Sequence, residues 1–207
     1  MGRGSAASSP PPPQAVIGLG NPGAEYDQTR HNAGFWWVDV LADQAGVRLR
    51  PDVRLKGELG RLEMGGTSVW LFKPSTFMNH SGQAVEAFAS YYRLEPASLL
   101  VAHDELDLPV GTVRLKQGGG HGGHNGLRDI IARLGGDFTR LRIGIGHPGH
   151  RDQVVGYVLH PPGREERRLI DEALMRATSV FPDMLSGRMA WAMQTLNTTA
   201  YTSTPHP

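Results

Sequence analysis

The chain has 207 residues, 39% hydrophobic and 20% charged, which suits one globular domain with a substantial core. It contains no cysteine, which excludes disulfides, thiolate metal sites and a catalytic thiol, and fits a reducing compartment. A formal net charge of +1 supplies no whole-molecule attraction for nucleic acid, so any RNA contact has to come from a local basic patch.

Residues 1–14 carry four successive prolines, Pro10 to Pro13, and lack the apolar stretch of a secretory signal; they read as a disordered leader. Four apolar runs follow along the chain: Ala15–Leu19, Val69–Phe72, Leu99–Ala102 and Leu141–Ile145. Each ends in glycine, proline or a polar turn, as strands covered on both faces do. Val113–Lys116 alternates apolar with basic residues, predicting a half-exposed strand. Helical spacing marks Phe35–Ala42, Val85–Tyr92, Leu127–Leu134 and Leu169–Ala177, with Gly46 and Gly135-Gly136 as stops. Strands alternating with helices predict a single-domain three-layer α/β/α sandwich over 15–197, built on a twisted, mixed, mainly parallel sheet. Residues 198–207 read as a tail, and 149–162 as a covering loop. No apolar run is long enough to span a membrane.

In open α/β sheets, sites gather beyond the carboxyl ends of strands, and several polar residues fall there. Gly18-Leu19-Gly20-Asn21-Pro22-Gly23 matches a dinucleotide-binding pattern, G-x-G-x-x-G, but Pro22 has no N–H for a pyrophosphate and interrupts the turn where a helix should start. A tight strand-exit turn with Asn21 as a polar contact is the alternative. His31 precedes the first helix, and Asp104 ends a buried strand. An Asp accepting from one imidazole nitrogen fixes the tautomer and makes the other nitrogen more basic. Asn79 is either a helix cap or a donor to a developing oxyanion. Phe77 is either core or a stacking face for a base. Six glycines in Gly118–Gly126 let backbone approach a ligand closely, ahead of a helix N-terminus. His121 and His124 have no third ligand at a recognisable metal spacing, so no metal is expected. Lys116, Arg140 and Arg142 form a candidate phosphate clamp. Besides a hydrolase, a nicotinamide-dependent oxidoreductase and a non-catalytic RNA-binding module are open from these residues.

The blocks GLGNPGAEY, TRHNAG, KPSTFMN, HDELDLP, GGGHGGHNGL and RLRIGIGHPG together resemble the bacterial-type peptidyl-tRNA hydrolases, from about Val16 to Leu196. That resemblance implies a cofactor-free, cytoplasmic, monomeric enzyme. It would cleave the ester between a peptide and the 3′ end of tRNA. It also implies roles: His31 as catalytic base, Asp104 as the acid keeping it basic, and Asn21 as the residue distinguishing a blocked from a free aminoacyl group. Tyr26, Phe77, Asn79 and Asn125 fall on positions for tRNA or peptide contacts, and Lys116 and Arg142 on positions for tRNA phosphates.

Overall fold

The computed structural model describes residues 8–198. Seven strands form one sheet: β1 (Ala15–Gly18), β2 (Arg50–Asp52), β3 (Gly57–Met64), β4 (Thr67–Pro74), β5 (Leu99–Glu105), β6 (Val113–Gln117) and β7 (Thr139–Gly144), in the order β2-β3-β4-β1-β5-β7-β6. The central four, β4, β1, β5 and β7, run parallel. Antiparallel strands finish both edges, β3 and β2 at one and β6 at the other.

Alternation along the strands divides the core in two. Val16, Leu71, Leu100, Ala102, Leu141 and Ile143 face α1 (Ala33–Ala45), α5 (Arg164–Ser179), α6 (Phe181–Leu185) and α7 (Met189–Thr198). Their neighbours Ala15, Ile17, Phe72, Leu99 and Val101 face α2 (Ser81–Tyr92) and α3 (Asn125–Leu134). β1 and the first four residues of β5 are apolar and buried throughout, as strands covered on both faces are. The expected three-layer sandwich is therefore present. The G-x-G-x-x-G segment is the strand-exit turn and not the dinucleotide turn that Pro22 argued against. No helix follows Gly23, which has φ +106°, and α1 begins only at Ala33. Gly18 and Gly20 are explained by packing, since a Cβ would lie 2.4 Å from the Gly34 carbonyl oxygen at Gly18 and 2.6 Å from Phe35 at Gly20.

Three helices and a hairpin were not expected from the sequence. The short α4 (Val154–Val158) lies within the anticipated covering loop, while α6 and α7 extend the helical layer. β2 and β3 lengthen the sheet beyond β4. Of the expected leader, Pro10 and Pro13 are buried, and the Gln14 backbone N–H donates to the Ser98 carbonyl at 2.8 Å. Residues 1–7 and 199–207 lie outside the described part, and Thr198 is the last residue of α7.

Candidate active site

The site is built where three segments meet at the carboxyl end of the sheet. β1 delivers Asn21 past its end, β5 carries Asp104, and the single 3-10 turn Arg30–Asn32 delivers His31 just ahead of α1. Gly34 makes this meeting possible. A Cβ there would stand 2.3 Å from the Ala102 carbonyl oxygen and 2.5 Å from Leu19 N, so only glycine lets α1 start this close to β1 and β5.

The Nδ1–H of His31 donates to both oxygens of Asp104, at 2.9 and 3.0 Å. Nε2 is thereby left as the nitrogen facing the cleft that His31 lines. A second imidazole reaches the same carboxylate, with His124 Nε2 2.8 Å from Asp104 Oδ1. His124 is also the N-cap of α3, where its Nδ1 accepts from Gly126 N and Leu127 N at 3.1 and 3.3 Å. Those two donors fix its tautomer, so Nε2 carries the proton toward Asp104. The Asp104 side chain is 2% exposed. Burial opposes its charge, yet the two imidazoles hold its carboxyl well below the ordinary range. Burial likewise works against protonation of His31, but the Asp104 charge and hydrogen bond outweigh it and raise the His31 pKa above its usual value. His103 has no such partner for its outer nitrogen. It donates Nδ1–H to the Asp104 carbonyl at 2.8 Å, and burial followed by the nearby His124 pushes its pKa down to about 4.

These groups open onto a cleft of about 650 Å³. One side is polar, with Asn21, His31, Asn79, His124 and Asn125; the other is apolar, with Val154, Val155, Val158 and Leu159. Asn21 Oδ1 accepts from Met78 N at 2.7 Å, and its backbone is clasped by the Asn32 amide at 2.8 and 3.0 Å. Only its Nδ2 is left to offer a ligand. Asn79 is exposed in a 3-10 turn and makes no cap bond; the capping alternative is excluded for it. Phe77 is 55% exposed at the cleft, not core, and Tyr26 supports it edge-on with ring centroids 6.2 Å apart. Asn125 opens α3 and accepts from Arg128 at 3.0 Å.

The basic residues divide. Lys116 is exposed on β6 beside the glycine loop, where a Cβ on Gly119 would come within 3.1 Å of its amine. Arg142 is paired with Glu105 at 2.7 Å. Arg140 does not belong to a surface clamp: it is 3% exposed and its guanidinium donates to the carbonyls of Gly119 and Gly120, bracing the loop from beneath. His31, Asp104 and His124 are also a donor set of the kind that holds a divalent ion. Their separations of 2.8–3.0 Å are those of hydrogen bonds, and the capping bonds use the remaining nitrogen of His124. Sequence reasoning missed His124 as a partner of Asp104. Its position one residue before α3 signals a helix cap and not the carboxylate that its other nitrogen meets.

An α/β sandwich that sets a carboxylate-held imidazole in an open cleft, with amide groups around it, suits a hydrolase. More particularly, the chain belongs to the peptidyl-tRNA hydrolase family, whose sequence pattern matches residues 15–204. It is 55% identical over 187 residues to the peptidyl-tRNA hydrolase of Azoarcus sp. (strain BH72), covering 90% of this chain and 85% of that one. Identity to the enzyme of Neisseria meningitidis (strain FAM18) is 52%, over 88% of this chain and 95% of the relative. The crystal structure of peptidyl-tRNA hydrolase from Acinetobacter baumannii superposes with a TM-score of 0.89 at 48% identity, covering 93% of this chain and 98% of that one.

Proposed function

We propose that the chain, as one catalytic domain over 15–197, hydrolyses the ester joining a peptide to the 3′ end of tRNA and returns the tRNA to translation. The observation that carries this reading is the 2.9 Å contact between His31 Nδ1 and Asp104 at the edge of an open cleft. Neutral His31 takes a proton from water at Nε2 as the water oxygen attacks the ester carbonyl. Asp104 holds the ring in the required tautomer and stabilises the imidazolium that forms. Asn79 and Asn125 donate to the oxyanion. When the tetrahedral intermediate collapses, the carbon–oxygen bond to the ribose breaks and His31 returns its proton to the departing 3′ oxygen. An ester is reactive enough for direct attack by water, so the scheme needs no covalent intermediate and no cofactor.

Asn21, with only Nδ2 free, reads the blocked amino end of the aminoacyl group as a carbonyl acceptor. Phe77, supported by Tyr26, offers an exposed ring for stacking on a terminal base. Lys116 and Arg142 contact tRNA phosphates, Lys116 freely and Arg142 with its charge shared with Glu105. The enzyme acts as a monomer in the cytoplasm, where its substrate forms; no helix among the described residues is long and apolar enough to cross a membrane.

The test is hydrolysis of labelled peptidyl-tRNA by wild type and His31→Ala. General-base help is worth about two to four powers of ten, so the variant is expected to lose at least a hundredfold in turnover with its fold intact. Near-normal cleavage by the folded variant removes His31 from the role.

A further inference from the structure

We infer that Arg30 is a positioning residue for the hydrolysis, tying the apolar wall of the cleft to the catalytic turn that carries His31. It stands immediately before His31 in the same 3-10 turn, yet its side chain turns away from the carboxylate and is only 10% exposed. Nearly every bond it makes goes to the chain that builds the opposite wall. Its backbone N–H donates to the His160 carbonyl at 3.1 Å. Nη1 donates to the Tyr157 and His160 carbonyls at 3.1 and 3.2 Å, and the guanidinium lies over the Tyr157 ring at 4.0 Å. Nη2 pairs with Glu166 at 2.8 Å, and Glu166 also accepts from Gly163 N at 2.9 Å at the start of α5.

The segment it holds has little else to hold it. α4 is five residues long, too short to be stable alone, and Val158 is its sole buried residue. Val155, 68% exposed, and Leu159, 37% exposed, face the cleft without cover. Outside Arg30, α4 is attached by Val158 in the core, by the partly buried Val154 and Tyr157 packed against it, and by the Tyr157 hydroxyl on the Ile145 carbonyl. A planar fork that meets two carbonyls and a carboxylate at once, while stacking on a ring, is a task lysine does not reproduce. The polar ties that fix the distance from the apolar wall to His31 Nε2 therefore converge on Arg30. A substrate laid along that wall presents its ester carbonyl to the base only if the distance is right.

The inference rests on hydrolysis by His31, and its test is arranged so that the two fail differently. Arg30→Lys and Glu166→Gln are assayed with peptidyl-tRNA for kcat and KM across pH, and amide exchange is followed over 154–160. Misplacement of this kind costs up to about a hundredfold in rate. Arg30→Lys is expected to lower kcat/KM about tenfold or more, Glu166→Gln by a smaller factor. The pH midpoint stays at the wild-type value because the His31–Asp104 contact is untouched. Exchange rises over 154–160 and not in β1 or β5. Glu166→Gln keeps an oxygen for both Arg30 Nη2 and Gly163 N and removes only the charge, so it is the milder variant should Arg30→Lys not fold. The inference is overturned if Arg30→Lys retains wild-type kcat and KM. It is also overturned if losses come with a shifted pH midpoint, or if exchange rises uniformly through the sheet. Unimpaired His31→Ala, by contrast, overturns the base assignment itself.

Discussion

His31 and Asp104 are legible in the sequence for a plain reason: the apolar pattern marks both the helix that His31 precedes and the strand whose carboxyl end carries Asp104. His124 was hidden because a histidine at a helix start gives no sign of which carboxylate its second nitrogen will meet. The shared carboxylate fixes the pH behaviour. Protonated His31 is no base, so kcat/KM rises with pH, with a midpoint above the ordinary histidine value of 6.5. Asp104→Asn removes the anion, and is expected to move that midpoint down while lowering the plateau by about two powers of ten. A pH–rate profile of the variant with the wild-type midpoint refutes the pairing. His103 acts on stability with a definite sign. Its folded pKa is depressed to about 4, so its contribution is complete above 6.5 and is lost as pH falls toward 4. That loss is on the order of 3 kcal/mol. His31 has the opposite sign, favouring the fold at low pH and losing that contribution as pH rises through its raised value. Urea midpoints measured from pH 7 to 4 are expected to fall steeply in wild type and less steeply in His103→Asn.

Among the elements, the central strands and helices α1, α2, α3 and α5 follow from periodicity because their apolar faces are wide. β3 did not, since Leu62 is the one large apolar residue buried in it and its partner strand does the covering. α4 escaped because Val154, Val155 and Val158 occupy a five-residue helix that faces a cleft and makes little core. Arg140 looked like a surface cation because a sequence does not show that a loop will fold over it. The packing of α1 on β5 yields a prediction at this scale. Gly34→Ala places a methyl group against the Ala102 carbonyl and Leu19 N, with no flexible side chain to yield. Overpacking of this kind costs about 1–3 kcal/mol, and here it also pushes His31 away from Asp104. Thermal unfolding is expected to show the stability loss, while activity falls further than the unfolded fraction accounts for. Full activity in the folded fraction rejects that coupling.

For the molecule as a whole, composition announced nothing about RNA. A chain of net charge +1 meets a polyanion through local cations, and these differ in how far they are free: Arg140 is held by the Gly119 and Gly120 carbonyls, and Arg142 shares its charge with Glu105. Lys116 is the exposed one of the three. Lys116→Ala is expected to weaken tRNA binding and lower the slope of log K against log salt by about one, with little effect on turnover of bound substrate. An unchanged slope places the phosphate contact elsewhere.

His124 grips the first turn of α3 with one nitrogen and the catalytic carboxylate with the other. The glycine-rich segment that leads into that turn is thus mechanically continuous with the base. A tug on the end of the segment next to α3, by an RNA backbone or an inhibitor lodged there, is expected to shift the hydrogen bond to Asp104, while Arg140 on β7 holds the other end at Gly119 and Gly120. The ring proton of His31, observed by magnetic resonance, becomes a gauge read at one end of the groove for events at the other.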